Sequence, residues 1–248
     1  SDMAKTWAKG KLRLGMGKAM DQRSALLQVA ELGADAFATF YVGPAYACAA
    51  VHLKLDLVTS SPRSASSFDL ARGHVILKML KDMDEADGGQ SPFRNVVSRL
   101  EATWDDARKA AGRRPLDLGE SERLNQFVVS IRRKFRYSLL PSSVYPYSEP
   151  GWYTANKWFK HWEVSLGTGN PSAPIEGVSK LSALRDALNA AWLFWLFHKH
   201  PDGGGARAPE PCLQVKQLED QVLRLCSLII EKQYTQRETQ SVPNPGGS

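Results

Sequence analysis

Across residues 21–140 apolar side chains recur every three or four positions, and Gly or Pro cuts this pattern into pieces. That period places one apolar stripe along a helix, whereas a half-buried strand needs strict alternation. Alternating β-branched runs are scarce, so the expected fold class is all-α: a multi-helix bundle with an irregular Trp/Tyr/Pro-rich segment and a C-terminal helical pair.

The first predicted helix covers residues 21–39, with Leu26, Leu27, Ala30, Ala34 and Phe37 at helical spacing. Gly43-Pro44 ends that stretch, because proline has no N–H and disfavours helix in the residue before it. A second helix is expected over 45–59, where Ala49, His52, Leu53 and Asp56 mix polar and apolar character, and Ser60-Ser61-Pro62 closes it. A Ser66-Ser67 cap opens a third over 68–86, with Leu70, Ile76, Leu77, Leu80 and Met83 inward and Gly88-Gly89 as its stop. The fourth begins with Ser91 as N-cap and Pro92 at the first helical position, followed by Phe93, Val96, Val97, Leu100 and Trp104 on one stripe. The fifth covers 120–140, with Leu124, Phe127, Val128, Ile131 and Phe135 on one face and Arg132, Arg133 and Arg136 on another, before Pro141.

Beyond Pro141 the pattern weakens. Tyr145, Tyr147, Trp152 and Tyr153 lie among prolines and glycines, and a short helix over 154–166 carries Trp158, Phe159 and Trp162. Ser179 reads as the cap of a helix reaching Lys199, whose second half, Trp192-Leu193-Phe194-Trp195-Leu196-Phe197, is apolar on every side and must be enclosed. In the last segment Val215, Leu218, Val222, Leu225 and Ile229 form a short heptad seam. The organisation read from these signals is a basic tail (1–20), a helical bundle (21–140), an irregular aromatic segment (141–175), a helical pair (176–235) and a flexible tail (236–248).

The chain has 248 residues, 43% of them apolar and 23% charged, so a sizeable core is expected and wholesale disorder is excluded. Its net charge of +6 is unevenly spread. Lys5, Lys9, Lys11, Arg13 and Lys18 stand against Asp2 in residues 1–20, and Arg123, Arg132, Arg133, Lys134 and Arg136 stand against Glu120 and Glu122 in 120–140. Those two stretches account for the whole excess. A nucleic-acid partner would therefore have to contact Lys9, Lys11 and Arg13 or Arg132, Arg133, Lys134 and Arg136, with nearby aromatics stacking bases; a solubilising tail and a solvated helix face are the plainer account. Trp152, Tyr153, Trp158 and Trp162 read as an aromatic platform or a small local core. Trp192, Trp195, Leu218, Val222, Leu225 and Ile229 make the C-terminal third the best candidate for a partner or homo-oligomer surface.

Other chemistries find little support. Cys48, Cys212 and Cys226 are too few and scattered for a disulfide framework, which points to an intracellular compartment, nucleus or cytoplasm. Cys48 in its apolar run reads as a buried thiol. The longest strongly apolar stretch, 187–197, is about half the ~20 residues a membrane span requires, and the N-terminal stretch lacks the apolar core of a secretory signal. Ser1-Asp2 ahead of Met3 reads as a cloning remnant. His198-x-His200 with Cys212 and Cys226 fits no zinc module, so no metal or cofactor is expected. No HExxH, Walker lysine loop, GxGxxG or GxSxG occurs. The carboxylates Asp82, Asp84, Glu85 and Asp87, and the pair Asp105-Asp106, read as solvated helix surface rather than as acid–base groups. His52 and His74, among apolar neighbours, read as satisfied polar contacts.

Gly43-Pro44 leading into Ala47-Cys48-Ala49-Ala50-Val51-His52-Leu53, then Thr59-Ser60-Ser61-Pro62, the helix from Asp69-Leu70-Ala71 to Met83, and Trp104-Asp105-Asp106-Ala107-Arg108 carry one family resemblance. Over residues 34–111 this pattern resembles the helical regulatory region of fungal zinc-cluster transcription factors. The resemblance implies an all-helical regulatory fragment that contacts partners or small effectors; the family's cysteine-rich DNA-binding cluster is not in the sequence, so it assigns DNA binding to no residue. The functional expectation is a non-enzymatic helical regulatory or protein-interaction module, with nucleic-acid binding of a nucleocapsid type through 5–18 and 132–136 as the alternative.

Overall fold

A computed structural model describes residues 22–55, 57, 65–86, 92–139, 144–168 and 184–199. Among them the chain is all-α, as the periodicity predicts, with seven helices and no strand. These are α1 (Gln22–Val42), α2 (Pro44–Ala49, running on as a π-helical turn over Ala50–Lys54), α3 (Ala65–Ala86), α4 (Arg94–Ala110), α5 (Leu118–Lys134, with a π-helical turn over Phe135–Leu139), α6 (Glu149–Thr168) and α7 (Leu184–Phe194, with a π-helical turn over Trp195–Lys199). The chain divides into two compact units between Ser148 and Glu149.

In the first unit α3 is the shared element, touching α1, α2, α4 and α5. Three consecutive residues show why its register matters. Successive helical side chains point about 100° apart, and Arg72 reaches Asp35 on α1, Gly73 lies beneath the Trp104 indole of α4, and His74 Nε2 sits 2.9 Å from Asn125 Oδ1 on α5. A Cβ on Gly73 would overlap the indole ring, so only glycine lets α3 and α4 approach this closely. The expected inward residues of α3, α4 and α5 are all buried: Leu70, Ile76, Leu77, Leu80 and Met83; Phe93, Val96, Val97, Leu100 and Trp104; Leu124, Phe127, Val128, Ile131 and Phe135.

On α1 the helix forms as expected, but its apolar series is not the buried face. Leu27 is 60% exposed, Ala30 and Ala34 are also outside, and the buried face is Leu32, Asp35, Ala36, Thr39 and Phe40. The stripe has correct helical spacing, but two of its members are polar, so a search for apolar residues misses it. α1 also runs three residues past its expected end. Gly43 then reverses the chain with φ 80°, its N–H donates to the Thr39 carbonyl (2.8 Å), and Pro44 opens α2. The side chain of Tyr147 fills the space that a Gly43 Cβ would need. Tyr147 N–H donates to the Phe40 carbonyl (2.9 Å) and its ring stacks on Phe93 (6.1 Å), so residues 144–148, expected within an irregular aromatic segment, fasten onto the first unit.

The helix starts differ from the expected ones as well. Ser66 and Ser67 lie inside α3, which begins at Ala65. α4 begins at Arg94, after Pro92 and Phe93 in a turn, and the Phe93 N–H is satisfied by Asp84 Oδ1 at 2.6 Å, a tertiary cap in place of Ser91. Asp84 is buried, as is Asp82, which is paired with Lys78, so neither is the solvated surface carboxylate expected. α4 ends in a Schellman motif: Gly112 N–H donates to the Lys109 carbonyl (2.9 Å) and Arg113 N–H to that of Arg108 (3.0 Å), with Gly112 at φ 63°. α5 begins two residues earlier than expected, with a capping box in which Asp117 Oδ1 accepts from Glu120 N–H (2.7 Å) and Glu120 Oε2 from Asp117 N–H (3.2 Å).

In the second unit α6 packs on α7. α6 starts at Glu149, five residues before the expected helix, because Pro150 and Gly151 fall in its first turn, where a missing N–H costs nothing. Ala155, Ala187 and Ala190 are fully buried and Phe159 meets Phe197 at 6.1 Å. Ser179 and the heptad seam at Val215, Leu218, Val222, Leu225 and Ile229 lie outside the described residues.

Gly73→Ala is expected to destabilise the protein by about 1–3 kcal/mol through overpacking against Trp104. Gly33→Ala, in mid-helix with open space at its Cβ, should instead stabilise it by roughly 0.5–1 kcal/mol. Urea denaturation of the two variants checks both signs.

Candidate interaction surface

Among the described residues of the first unit, the most concentrated polar chemistry surrounds Asp35, which is 1% exposed. Arg72 Nε donates to its Oδ2 (2.7 Å) and Nη2 to its Oδ1 (3.1 Å), Tyr46 Oη donates to Oδ1 (2.5 Å), and Lys54 Nζ lies 3.5 Å from Oδ1. Arg72 also pairs with Asp69 (3.6 Å) and lies over the Phe68 ring, while Lys54 donates to Tyr46 Oη (3.4 Å). Burial by itself would raise the Asp35 carboxyl, but the hydrogen bonds from Arg72 and Tyr46 and the charges of Arg72 and Lys54 outweigh it and hold the group below the usual carboxylate range. The Tyr46 hydroxyl is pushed the other way, first by burial and then by its bond to Asp35. Arg72, Tyr46 and Lys54 converge on one carboxylate that two helices and a π-helical turn enclose. That arrangement fixes helices; it leaves no oxygen of Asp35 poised toward a substrate.

The other carboxylates considered for acid–base work are also engaged. Asp82 and Asp84 serve as described above, and Asp105 pairs with Arg108 and with Lys109 (2.6 Å). His74 is a satisfied contact, and the Cys48 thiol is buried and raised well above its ordinary value by that burial. Among the described residues no group of His, Cys, Asp and Glu is placed to hold a metal, and no helix is long and apolar enough to cross a membrane. His200, Cys212 and Cys226 lie outside them.

The basic run of α5 separates by helical geometry. Arg133 and Arg136 are exposed, whereas Arg132 and Lys134 are half-buried and engaged in interactions. Val129 (57% exposed) precedes Arg133 by one turn, and Tyr137 (76% exposed) follows it by another. The four residues make one outward stripe, and the opposite side of α5 is the buried set Leu124, Phe127, Val128, Ile131 and Phe135. Phe135 is edge-on to Phe37 (5.6 Å) and tilted against Phe40 (5.5 Å), which fastens this end of α5 to α1. Lys9, Lys11 and Arg13 lie outside the described residues. Val129 and Tyr137 carry a sequence signal in their helical offset from Arg133, which a count of charges does not register.

In the second unit the expected aromatic platform is split. Trp152 is buried, Tyr153 is exposed with Lys157 Nζ 4.6 Å from its ring centroid, and Trp158 is half-buried. The side chain of Trp162 lies outside the described residues. Trp192 and Trp195 are half-buried and meet edge-to-face at 5.2 Å, beside buried Leu193, Phe194 and Leu196. Among known proteins, no family model, curated protein or solved structure matches the chain.

Because the folded value of Asp35 is depressed, its stabilisation is present above the unfolded carboxylate pKa of about 3.9 and is lost as pH falls through the lower folded value. Asp35→Asn leaves Arg72 without its buried counter-charge and should cost roughly 2–4 kcal/mol at neutral pH. Urea midpoints measured between neutral pH and acid should show the wild type losing its margin over Asp35→Asn as pH drops.

Proposed function

We propose that the chain is a helical protein-interaction module of regulatory type, with no chemistry of its own. The observation that carries this reading is the outward stripe Val129, Arg133, Arg136 and Tyr137, exposed apolar and cationic groups on a helix whose other side is locked into the core. Surface residues of that mixture on a rigid scaffold are the chemistry of a protein contact: aromatic and Arg side chains supply most interface energy, and a preformed helix loses little entropy on docking. The engagement of Asp35, Asp82, Asp84 and Asp105 as structural partners accords with a binding role. The resemblance of residues 34–111 to the regulatory region of fungal zinc-cluster transcription factors supports the regulatory part. Its Gly43-Pro44 is the α1–α2 reversal, and its Trp104 is the side chain seated on Gly73.

A photo-crosslinking amino acid placed at Val129, in cells that naturally express the chain, should give discrete protein adducts, while the same group at exposed Ser98 on α4 should not. Equal labelling at both positions, or adducts at Val129 that nuclease removes, would count against the module reading.

A further inference from the structure

We infer that the α5 stripe docks an acidic amphipathic segment of a partner protein, its carboxylates on Arg133 and Arg136 and its apolar side chains on Val129 and Tyr137. This inference rests on the interaction-module reading above and specifies the partner's chemistry.

Three observations converge on it. The first is charge left open. Arg72, Lys78, Lys81, Arg108 and Lys109 each have a carboxylate within ion-pair distance, whereas Arg133 and Arg136 make no ion pair or hydrogen bond among the described residues. The two guanidinium groups are one turn apart, and each offers the planar fork that grips a carboxylate in bidentate fashion. The second is the apolar pair that brackets them. Cations in the last turn of a helix complement its dipole, and that would account for the arginines alone. It does not account for an exposed valine one turn before them and an exposed tyrosine directly after. The third is rigidity: the capping box at Asp117 and Glu120 holds one end of α5, and the Phe135 contacts with Phe37 and Phe40 hold the other.

The same features separate the acidic segment from other occupants. A second copy of the chain would bring the same arginines against each other, with exposed Glu122, two turns before Val129 and beyond the stripe, as the nearest carboxylate on that side of α5 to offset them. A nucleic-acid backbone would use all four cations of the run, and Arg132 and Lys134 are half-buried and engaged; Val129 offers a phosphate nothing. An acidic segment with apolar side chains uses every member of the stripe.

The test uses the full chain and a fluorescent peptide with Leu along one helical face and Glu beside it. A Lys-for-Glu version, a uridine oligonucleotide and sedimentation of the protein alone complete the set. Saturable binding of the acidic peptide is expected, weakened about tenfold or more by Arg133→Glu with Arg136→Glu, a loss of about 1.4 kcal/mol. Val129→Ser should weaken it further, and the Lys peptide should not bind. The substituted side chains are solvent-facing, and an unchanged circular dichroism spectrum confirms that the fold is kept. Binding indifferent to the double reversal overturns the inference, as does tighter, reversal-sensitive binding of the oligonucleotide or a dimer that the reversal dissolves. Protein adducts at Val129 without acidic-peptide binding overturn only the acidic class; no adducts and no peptide binding overturn the module reading with it.

Discussion

A buried carboxylate on the packing face of α1 sets the terms for the first unit. Isolating Asp35 from water would be prohibitive without partners, and the fold supplies them from three directions: Arg72 on α3, Tyr46 on α2 and Lys54 on the π-helical turn. An apolar stripe tolerates a sliding neighbour, because one methyl group replaces another. A bidentate arginine does not, since moving α3 by a single residue against α1 would leave a buried charge unmatched. The consequence spreads because Arg72 is followed by Gly73 and His74. Once Arg72 is seated, the rotation and height of α3 are settled, and with them where Trp104 of α4 and Asn125 of α5 must lie.

This dependence also explains which parts of the fold were legible from sequence. The inward faces of α3, α4 and α5 are made of Leu, Ile, Val, Phe, Met and Trp, so their periodicity alone marks them. On α1 the buried stripe contains Asp35 and Thr39, whose polar atoms are satisfied by Arg72 and Tyr46 and, for Thr39, by the Asp35 carbonyl at 2.8 Å. Nothing in the local sequence announces the partners of Asp35, since Arg72 lies 37 residues away. Helix ends divide in the same way. Asp117 and Glu120 form a local capping box with the spacing such a box requires, and it was open to a sequence reading. The cap of α4 comes from Asp84 on another helix, so Ser91-Pro92 pointed to the wrong start.

The candidate surface was legible as composition and illegible as geometry. Four basic residues between 132 and 136 stand out in any charge count, yet a helix turns them to different sides. Arg132 and Lys134 flank the packed face and Arg133 and Arg136 look outward, so half of the apparent patch is available. The residues that complete the stripe, Val129 and Tyr137, are separated from each other by eight positions and carry no charge.

Stability and interaction on α5 are two sides of one arrangement. The apolar set from Leu124 to Phe135 holds the helix by burying it, and this freezes the outward groups in position without consuming them. The helix dipole helps: a negative C-terminal end makes Arg133 and Arg136 favourable there with no carboxylate beside them among the described residues, so their charges cost little stability. An approaching anion gains the guanidinium contacts without first breaking an ion pair. In contrast, Arg72 cannot be recruited by any ligand without uncovering Asp35, which keeps its charge committed to the fold. The distinction between a cation that builds the unit and one that is open to binding is set by whether a carboxylate lies within ion-pair distance, and among the described residues Arg72 has one while Arg133 and Arg136 do not.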